Sequence, residues 1–301
     1  MKRNISGNNK YSNDHLSYEI LVTIFTTLSV VDLAVASMVC KSWNFASGSP
    51  KLWKKLDLSI LSFKGMHEPL RPFAWMDEHS TQKMTQFLKY TSSLSGETIS
   101  CIIFNYYVYL RDVHLISIAQ RTPNLKRLVL PISGNISKIG IETALRSWRG
   151  LESITITSMV HYINLFDAIK KYCTNIVCLK FTYCFEQDHA KSLVKYTPNL
   201  KVLSIRSMRV NMRGLCYVLN NLEHLKVVNL RHSIILDKFD DEIRVYSIVD
   251  VLSRVNISCN IIICQRRSCL RCKNENTRNS RQQYGLLEEI WRDDEIRCLA
   301  H

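Results

Sequence analysis

The chain lacks the short motifs that carry most enzyme chemistry. Its 301 residues contain no Gly-rich phosphate loop, no Gly-x-Ser-x-Gly nucleophile turn and no His-Glu-x-x-His metal motif. The histidines are scattered, and Cys40 lies in an apolar helical run that predicts a packed thiol rather than a nucleophile. We therefore predict a non-catalytic protein that uses no cofactor.

The sequence also lacks a long apolar run. No stretch approaches the roughly 20 residues of a membrane-spanning helix. Residues 1–14 are polar, without an apolar segment for secretion, and are predicted to form a disordered leader. Without an export signal, the 11 cysteines are expected to stay reduced. These features favour the cytoplasm and/or the nucleus, and no membrane partner is expected.

Acidic residues are fewer than basic residues in this chain. There are 26 of them against 40 lysines and arginines, which gives a formal net charge of +14. This balance favours acidic partners. Nucleic acid is the alternative, but the chain has no zinc-finger, helix-turn-helix or RNA-recognition signature, so we favour a solvated basic surface.

The stretch from Leu16 to Trp53 is unusually apolar for its length. Its spacing predicts successive short helices, with Ser17 and Asp32 as N-caps. A unit this small rarely buries enough surface to fold alone. Its excess apolar surface therefore predicts a docking face. A helical cap over the next domain is the alternative.

The same stretch resembles an F-box, most specifically in the run Val39 to Trp43. Many members of that family carry proline where this chain has Ser17, which is still able to cap a helix. The resemblance implies docking onto a Skp-type adaptor, and through it onto the cullin and RING subunits of a ubiquitin ligase. It also implies a set of adaptor-binding residues: Leu16, Ser17, Ile20, Leu21, Ile24, Leu28, Leu33, Val39, Trp43 and Trp53.

The rest of the sequence is repetitive. A Leu-x-x-Leu-x-Leu template, with Ile, Val or Phe allowed, recurs with first anchors 24 to 26 residues apart. The copies are Ile99/Ile102/Phe104, Leu125/Leu128/Leu130, Leu151/Ile154/Ile156, Ile176/Leu179/Phe181, Leu200/Leu203/Ile205 and Leu225/Val228/Leu230. A looser copy, Trp53/Leu56/Leu58, joins the F-box to the array. This regularity predicts a leucine-rich-repeat solenoid, with an ordinary α/β domain as the alternative.

Short helices are predicted before the strands, over residues 112–120, 140–148, 163–172, 188–195 and 212–219. The predicted fold class is α/β. A three-helix F-box precedes a solenoid with parallel strands on its concave face and helices on its convex face. The predicted domains are a leader (1–14), an F-box (15–57), a solenoid of about six to seven repeats (58–263), a basic flexible segment (264–284) and a C-terminal helix or tail (285–301).

Residues between and just after the strand anchors are predicted to face the concave side. This face is mixed and polar, with basic residues concentrated in the later repeats, which suits an acidic protein segment. Simple hydration of an exposed sheet is the alternative. The predicted target-binding residues are Arg127, Val129, Thr155, Lys180, Ser204, Arg206, Asn229 and Arg231.

The repeats resemble the cysteine-containing type of F-box/leucine-rich-repeat proteins. Cys173 and Cys184 occupy positions where that type has cysteine. The closing run Trp291 to Ile296 resembles the tail of short plant members. The resemblance is therefore to short, plant-type members of the F-box/leucine-rich-repeat family.

Three cysteines near the C-terminus raise the question of a metal. Cys264, Cys269 and Cys272 would need Cys298 or His301 as the fourth ligand, and this spacing matches closed zinc sites poorly. We therefore predict no metal site and a flexible basic segment.

Three functions remain in order of preference. The first is a substrate-receptor subunit of a Skp–cullin–F-box ubiquitin ligase, which recruits a protein target. The second is a leucine-rich-repeat scaffold without ligase function. The third is a receptor that uses a small molecule as a molecular glue, which ranks last because so few repeats enclose no deep pocket.

Overall fold

A computed structural model of the chain describes residues 17–58, 78–95, 97–104, 108–131, 133–156, 162–181, 184–239, 242–256, 258–264, 269 and 272. The predicted leader and C-terminal tail, most of the predicted basic segment, and Leu16 lie outside this range. Among the described residues, no helix combines the length and apolar character needed to cross a membrane.

The first part of the chain folds as three short helices and one 3-10 turn. These are α1 (Tyr18–Phe25), α2 (Val30–Ala36), α3 (Lys41–Ser47) and the 3-10 turn Pro50–Leu52. Helix α3 packs against both α1 and α2. The three helices predicted for the F-box are therefore present.

Helix α2 starts earlier than its sequence suggested. Its N-cap is Ser29, whose Oγ accepts the Asp32 backbone N–H at 3.1 Å and donates to the Asp32 carboxylate at 2.6 Å. Asp32 therefore completes the cap from inside the helix, and its assignment as the N-cap was wrong. A turn then separates α2 from α3, which leaves Cys40 exposed instead of packed in a continuous helix.

The remaining elements alternate between strands and helices. In chain order they are β1 (Lys55–Asp57), α4 (Glu78–Ser95), β2 (Cys101–Ile103), β3 (Tyr109–Arg111), α5 (Asp112–Ala119), β4 (Arg127–Val129), β5 (Ser133–Asn135), α6 (Lys138–Ser147), β6 (Ser153–Ile156), α7 (Tyr162–Tyr172), β7 (Cys178–Phe181), α8 (Gln187–Tyr196), β8 (Val202–Ser204), β9 (Arg209–Asn211), α9 (Met212–Asn221), β10 (Val227–Asn229), β11 (Ile234–Phe239), β12 (Glu242–Tyr246), α10 (Ile248–Leu252) and β13 (Asn260–Ile262).

Eight strands form one parallel sheet in the order β1-β2-β4-β6-β7-β8-β10-β13. Helices α4 to α9 pack side by side in sequence order, as a solenoid requires. The side chains of all seven sets of sequence anchors are buried, each with no more than 4% of its surface exposed. The predicted fold class is therefore confirmed.

The last strand, β13, was missed by the repeat template. A hairpin of β11 and β12 and the short helix α10 are inserted between β10 and β13, so this unit is longer than the others. Ser258 also stands three residues before Ile261, where the earlier copies carry an apolar first anchor. The β13 backbone nevertheless pairs in register with β10.

Polar contacts tie successive repeats together at the helix starts. The Asp112 carboxylate, at the start of α5, accepts the backbone N–H of Ser137 at 2.8 Å and its Oγ–H at 2.5 Å. Ser137 in turn caps α6. Four repeats later, the Asp237 carboxylate accepts from the Asn211 side-chain amide at 3.1 Å and pairs with Arg213 at 2.9 Å. These polar contacts hold neighbouring units together in addition to the apolar core that the units share.

Cys173 forms a buried contact of the kind expected for a cysteine-containing repeat. Its thiol lies within 3.4 Å of the Trp148 carbonyl and 3.6 Å of the Leu145 carbonyl, both in the preceding unit. Burial raises the pKa of this thiol to about 12, so it stays protonated and donates a weak hydrogen bond. Its role is to satisfy the carbonyls at the end of a helix.

A buried histidine makes the stability of the solenoid sensitive to pH. Nδ1 of His114 accepts the Arg111 backbone N–H at 3.1 Å, so Nε2 carries the proton and faces the Thr81 carbonyl at 3.3 Å. Burial lowers the pKa of His114 below 6.5. The folded chain therefore binds a proton at His114 less readily than the unfolded chain does. The contribution of His114 to the free energy of unfolding is full above pH 6.5 and is lost as the pH falls.

We expect the thermal unfolding midpoint of the wild type to fall more steeply than that of His114→Gln as the pH drops below 6.5. Differential scanning calorimetry at matched ionic strength measures both slopes. The exposed His224 provides the control, and His224→Gln should retain the wild-type slope. Equal slopes for wild type and His114→Gln would show that this histidine is not the sensitive group.

Candidate functional site

The outer surface of the first three helices is a patch of exposed apolar side chains. Phe45 is 74% exposed, Met38 67% and Val39 61%, which is unusual for side chains of this size. We call this patch the docking face, and its residues are Ile20, Ile24, Val31, Val35, Met38, Val39 and Phe45.

The docking face arises because the helices are apolar on two sides. On α1, Leu21 and Phe25 point into the core, whereas Ile20 and Ile24, four residues apart, lie on the outer side. On α2, Leu33 is buried and Val35 is exposed. The inner sides already complete a core, so the outer apolar sides contribute nothing to folding of the isolated chain and remain available for a partner.

The predicted adaptor-binding residues fall into three groups in the structure. Ser17, Ile20, Ile24 and Val39 are exposed, and Leu28 and Trp43 are half-buried. The side chains of Leu21, Leu33 and Trp53 are buried in the core, so they hold the docking face in place and do not form it. Leu16 lies outside the described residues.

The adaptor-binding residues predicted from sequence leave out part of the docking face. They do not include Val31, Val35, Met38 or Phe45, although Phe45 and Met38 are its two most exposed members. Val31 and Val35 are four residues apart on α2, and this spacing is the signal that was available. The signal was hidden because the inward residues of the same helix are apolar too.

Trp53 joins the F-box region to the sheet. Its side chain is fully buried, and its indole N–H donates to the Ser47 carbonyl at the end of α3. Only two residues separate the 3-10 turn from β1, and β1 pairs directly with β2. The docking face and the sheet are therefore parts of one packed unit with no linker between them.

The side of the sheet opposite the anchors carries two rows of residues. Strand register places these in line across the sheet. The first row is Lys55, Cys101, Arg127, Ser153, Cys178, Val202, Val227 and Asn260. The second row is Asp57, Ile103, Val129, Thr155, Lys180, Ser204, Asn229 and Ile262.

The first row is accessible, whereas the middle of the second row is not. Among the predicted target-binding residues, Arg231 is exposed, and Arg127 and Asn229 are half-buried. The other five have no more than 7% of their surface exposed, and they are Val129, Thr155, Lys180, Ser204 and Arg206. A partner would reach these five only after a rearrangement, so contact without rearrangement is confined to the first row and the C-terminal end.

Four side chains of types that can bind a metal ion converge at the end of the sheet. The Nδ1 atom of His232 lies 3.5 Å from the sulfurs of Cys264 and Cys269 and 3.4 Å from that of Cys272. The sulfurs of Cys264 and Cys272 are 3.5 Å apart, and all three thiols are free of disulfides. The fourth ligand considered from sequence was Cys298 or His301, downstream of these cysteines, whereas the structure brings His232 to them from upstream.

The chain matches known proteins in two ways. Residues 16–59 match the F-box-like family model. The F-box/LRR-repeat protein At3g48880 of Arabidopsis thaliana is 32% identical over 294 residues, which cover 95% of each chain. The putative F-box protein At4g11580 of the same plant is 26% identical over 94% of this chain and 95% of its own length.

A more distant relative is the putative F-box/LRR-repeat protein 22 of Arabidopsis thaliana, 25% identical over 79% of this chain and 75% of that protein. A solved structure from Bacteroides fragilis aligns with 12% identity over 81% of this chain and 72% of its own, and its TM-score of 0.44 is too low to carry an argument.

Fold and sequence define the class of protein, an F-box joined to a leucine-rich-repeat solenoid. The chain belongs to the plant F-box/LRR-repeat protein family. An F-box implies binding to a Skp-type adaptor, and proteins of this family are in general non-catalytic adaptors.

Proposed function

We propose that this chain is a substrate-receptor subunit of a Skp–cullin–F-box ubiquitin ligase. The observation that carries the proposal is the rigid join at Trp53 between an unpartnered apolar docking face and a parallel repeat sheet. One end binds a Skp-type adaptor, and through it a cullin and a RING subunit. The sheet binds a protein destined for ubiquitination.

In this proposal the chain performs no chemistry. It holds a target close to a ubiquitin-charged enzyme and so raises the effective concentration of the target. Because the join has no linker, the distance between adaptor and target is fixed by the solenoid and does not average over a flexible tether. A fixed distance favours transfer to lysines in one region of the target.

The target in this proposal carries an acidic segment. The formal net charge of +14 favours such a partner, and Arg127 and Arg231 are accessible basic residues of the sheet and its C-terminal end. A scaffold without ligase function uses the same sheet but leaves the docking face unexplained. The proposal places the complex in the cytoplasm and/or the nucleus.

The double variant Ile24→Asp/Val39→Asp tests the docking face. Both side chains are exposed, so the fold should survive, whereas two carboxylates buried against an adaptor would be unpaired. Loss of two central contacts of about 2 kcal/mol each should weaken binding by roughly 1,000-fold. Co-purification with a plant Skp-type adaptor, followed by calorimetric titration, measures the effect.

The control is Ile139→Asp, which replaces a more exposed apolar residue on α6, far along the chain from the docking face. It should bind the adaptor like the wild type. Leu33→Ala is unsuitable as a test because Leu33 is buried, and its loss would destabilise the helices themselves. Failure of the wild type to bind any adaptor would remove the ligase proposal.

A second pair of charge changes tests the target surface. In cells, the docking-face variant fused to a proximity-labelling enzyme should label targets that escape degradation. Adding Arg127→Glu/Arg231→Glu should weaken target binding by roughly 30-fold and deplete those labelled proteins, since each lost charged contact costs about 1 kcal/mol. Quantitative mass spectrometry compares the two samples.

The control reverses the same amount of charge elsewhere. Lys83 and Lys89 are exposed on helix α4, and Lys83→Glu/Lys89→Glu should leave the labelled set unchanged. If the sheet variant and the α4 variant deplete the labelled proteins equally, net charge alone explains the loss and recognition by the sheet is contradicted.

A further inference from the structure

The four converging side chains are held by the end of the sheet itself. His232 lies three residues beyond β10, and Cys264 lies two residues beyond β13. Strands β10 and β13 pair in parallel, with Asn229 opposite Ile262, so their carboxyl ends meet at one edge. The sheet therefore places His232 and Cys264 side by side although 32 residues separate them in sequence.

The backbone around His232 is shaped for this contact. Its φ is 64°, in the left-handed region that histidine adopts more readily than most residues. The His232 backbone N–H lies 3.2 Å from the Cys264 sulfur, and its ring Nδ1 faces all three thiols. Ser207, three residues beyond β8, has a φ of 58°, so this turn recurs in the preceding unit.

The distances fit a single tetrahedral ion. Zinc–sulfur bonds of about 2.3 Å and zinc–nitrogen bonds of about 2.0–2.1 Å place tetrahedral sulfurs about 3.8 Å apart and a nitrogen about 3.6 Å from each sulfur. The nitrogen–sulfur distances of 3.4 to 3.5 Å and the sulfur–sulfur distance of 3.5 Å are close to these values.

The donor set also selects the metal. Three thiols and one imidazole suit zinc, whereas calcium and magnesium prefer oxygen ligands. All four donor atoms lie within 4.8 Å of one another, which leaves room for one ion between them and too little for an iron–sulfur cluster. Four protein ligands complete a tetrahedron, as in structural zinc sites, and leave no open position for catalysis.

A bound metal ion would also hold the three sulfurs as thiolates, because a metal ion binds the thiolate form directly.

We propose that His232, Cys264, Cys269 and Cys272 bind one structural zinc ion that closes the C-terminal end of the solenoid. The ion cross-links the carboxyl ends of the last two strands to the segment that carries Cys269 and Cys272. An open solenoid end exposes unpaired strand edge and apolar core, so a cap is needed there. The ion also fixes the turn that carries Arg231, next to its ligand His232.

Metal content of the full chain tests this proposal. Protein purified without chelator should contain one zinc per chain by inductively coupled plasma mass spectrometry. Exchange with Co²⁺ should give the visible d–d bands and thiolate charge-transfer absorption of a tetrahedral site. His232→Asn keeps a residue tolerant of positive φ but removes the ligand, and it should lose the zinc.

Two further variants make the result specific. His232→Cys restores a fourth soft ligand and should regain zinc. Cys259→Ser changes a half-buried cysteine outside the cluster, and this variant should retain the zinc. If the variants fail to fold, the wild-type metal content and the Co²⁺ spectrum still decide the question.

Hydrogen exchange locates the effect of the ion. Removing zinc with a chelator should speed exchange of the amides of β13 and the turn at His232, while the amides of β2 stay protected. Three results would overturn the proposal: wild-type protein that binds neither zinc nor Co²⁺, a disulfide among the three cysteines in freshly purified protein, or zinc that persists in both His232→Asn and Cys269→Ser.

Discussion

The packing of Trp53 is the contact on which the rest of the structure depends. Its side chain is fully buried in the core that the F-box helices share with the sheet, and its indole N–H donates to the Ser47 carbonyl in the last turn of α3. This one residue ends the F-box and supplies the first anchor of the repeat array. The orientation of the docking face relative to the sheet follows from it. A leucine-rich repeat cannot bury its apolar side alone, so the F-box acts as the N-terminal cap while it also presents a partner surface.

The two ends of the array solve the same physical problem by different means. At the N-terminal end, the three short helices share one apolar core with β1 and leave an apolar outer surface for a partner. At the C-terminal end, β13 is the last strand of the main sheet within the described residues, and the four candidate metal ligands meet at its edge. Between the ends, polar contacts such as that of Asp112 with Ser137 hold each unit to the next. The result is a body in which the docking face and the sheet are held at a fixed separation.

The fold was predictable from sequence because apolar anchors recur at a nearly constant period, and every predicted anchor is buried. Strand β13 was not predictable in this way, because a hairpin lengthens its unit and Ser258 stands where the other copies have an apolar anchor. The docking face was only partly predictable, since Leu33 and Val35 look alike in sequence although one faces the core and the other solvent. His232 was beyond sequence reasoning because only the register of β10 with β13 brings it to the cysteines.

The central claim is that the F-box and the sheet form one rigid body through Trp53. Amide hydrogen exchange over residues 41–58 and 99–104, followed through increasing denaturant, tests it most directly. The account predicts that α3, β1 and β2 are protected to a similar degree and lose that protection together. Fast exchange of β1 in native buffer, with α3 and β2 still protected on either side, would reveal a flexible linker and contradict the account.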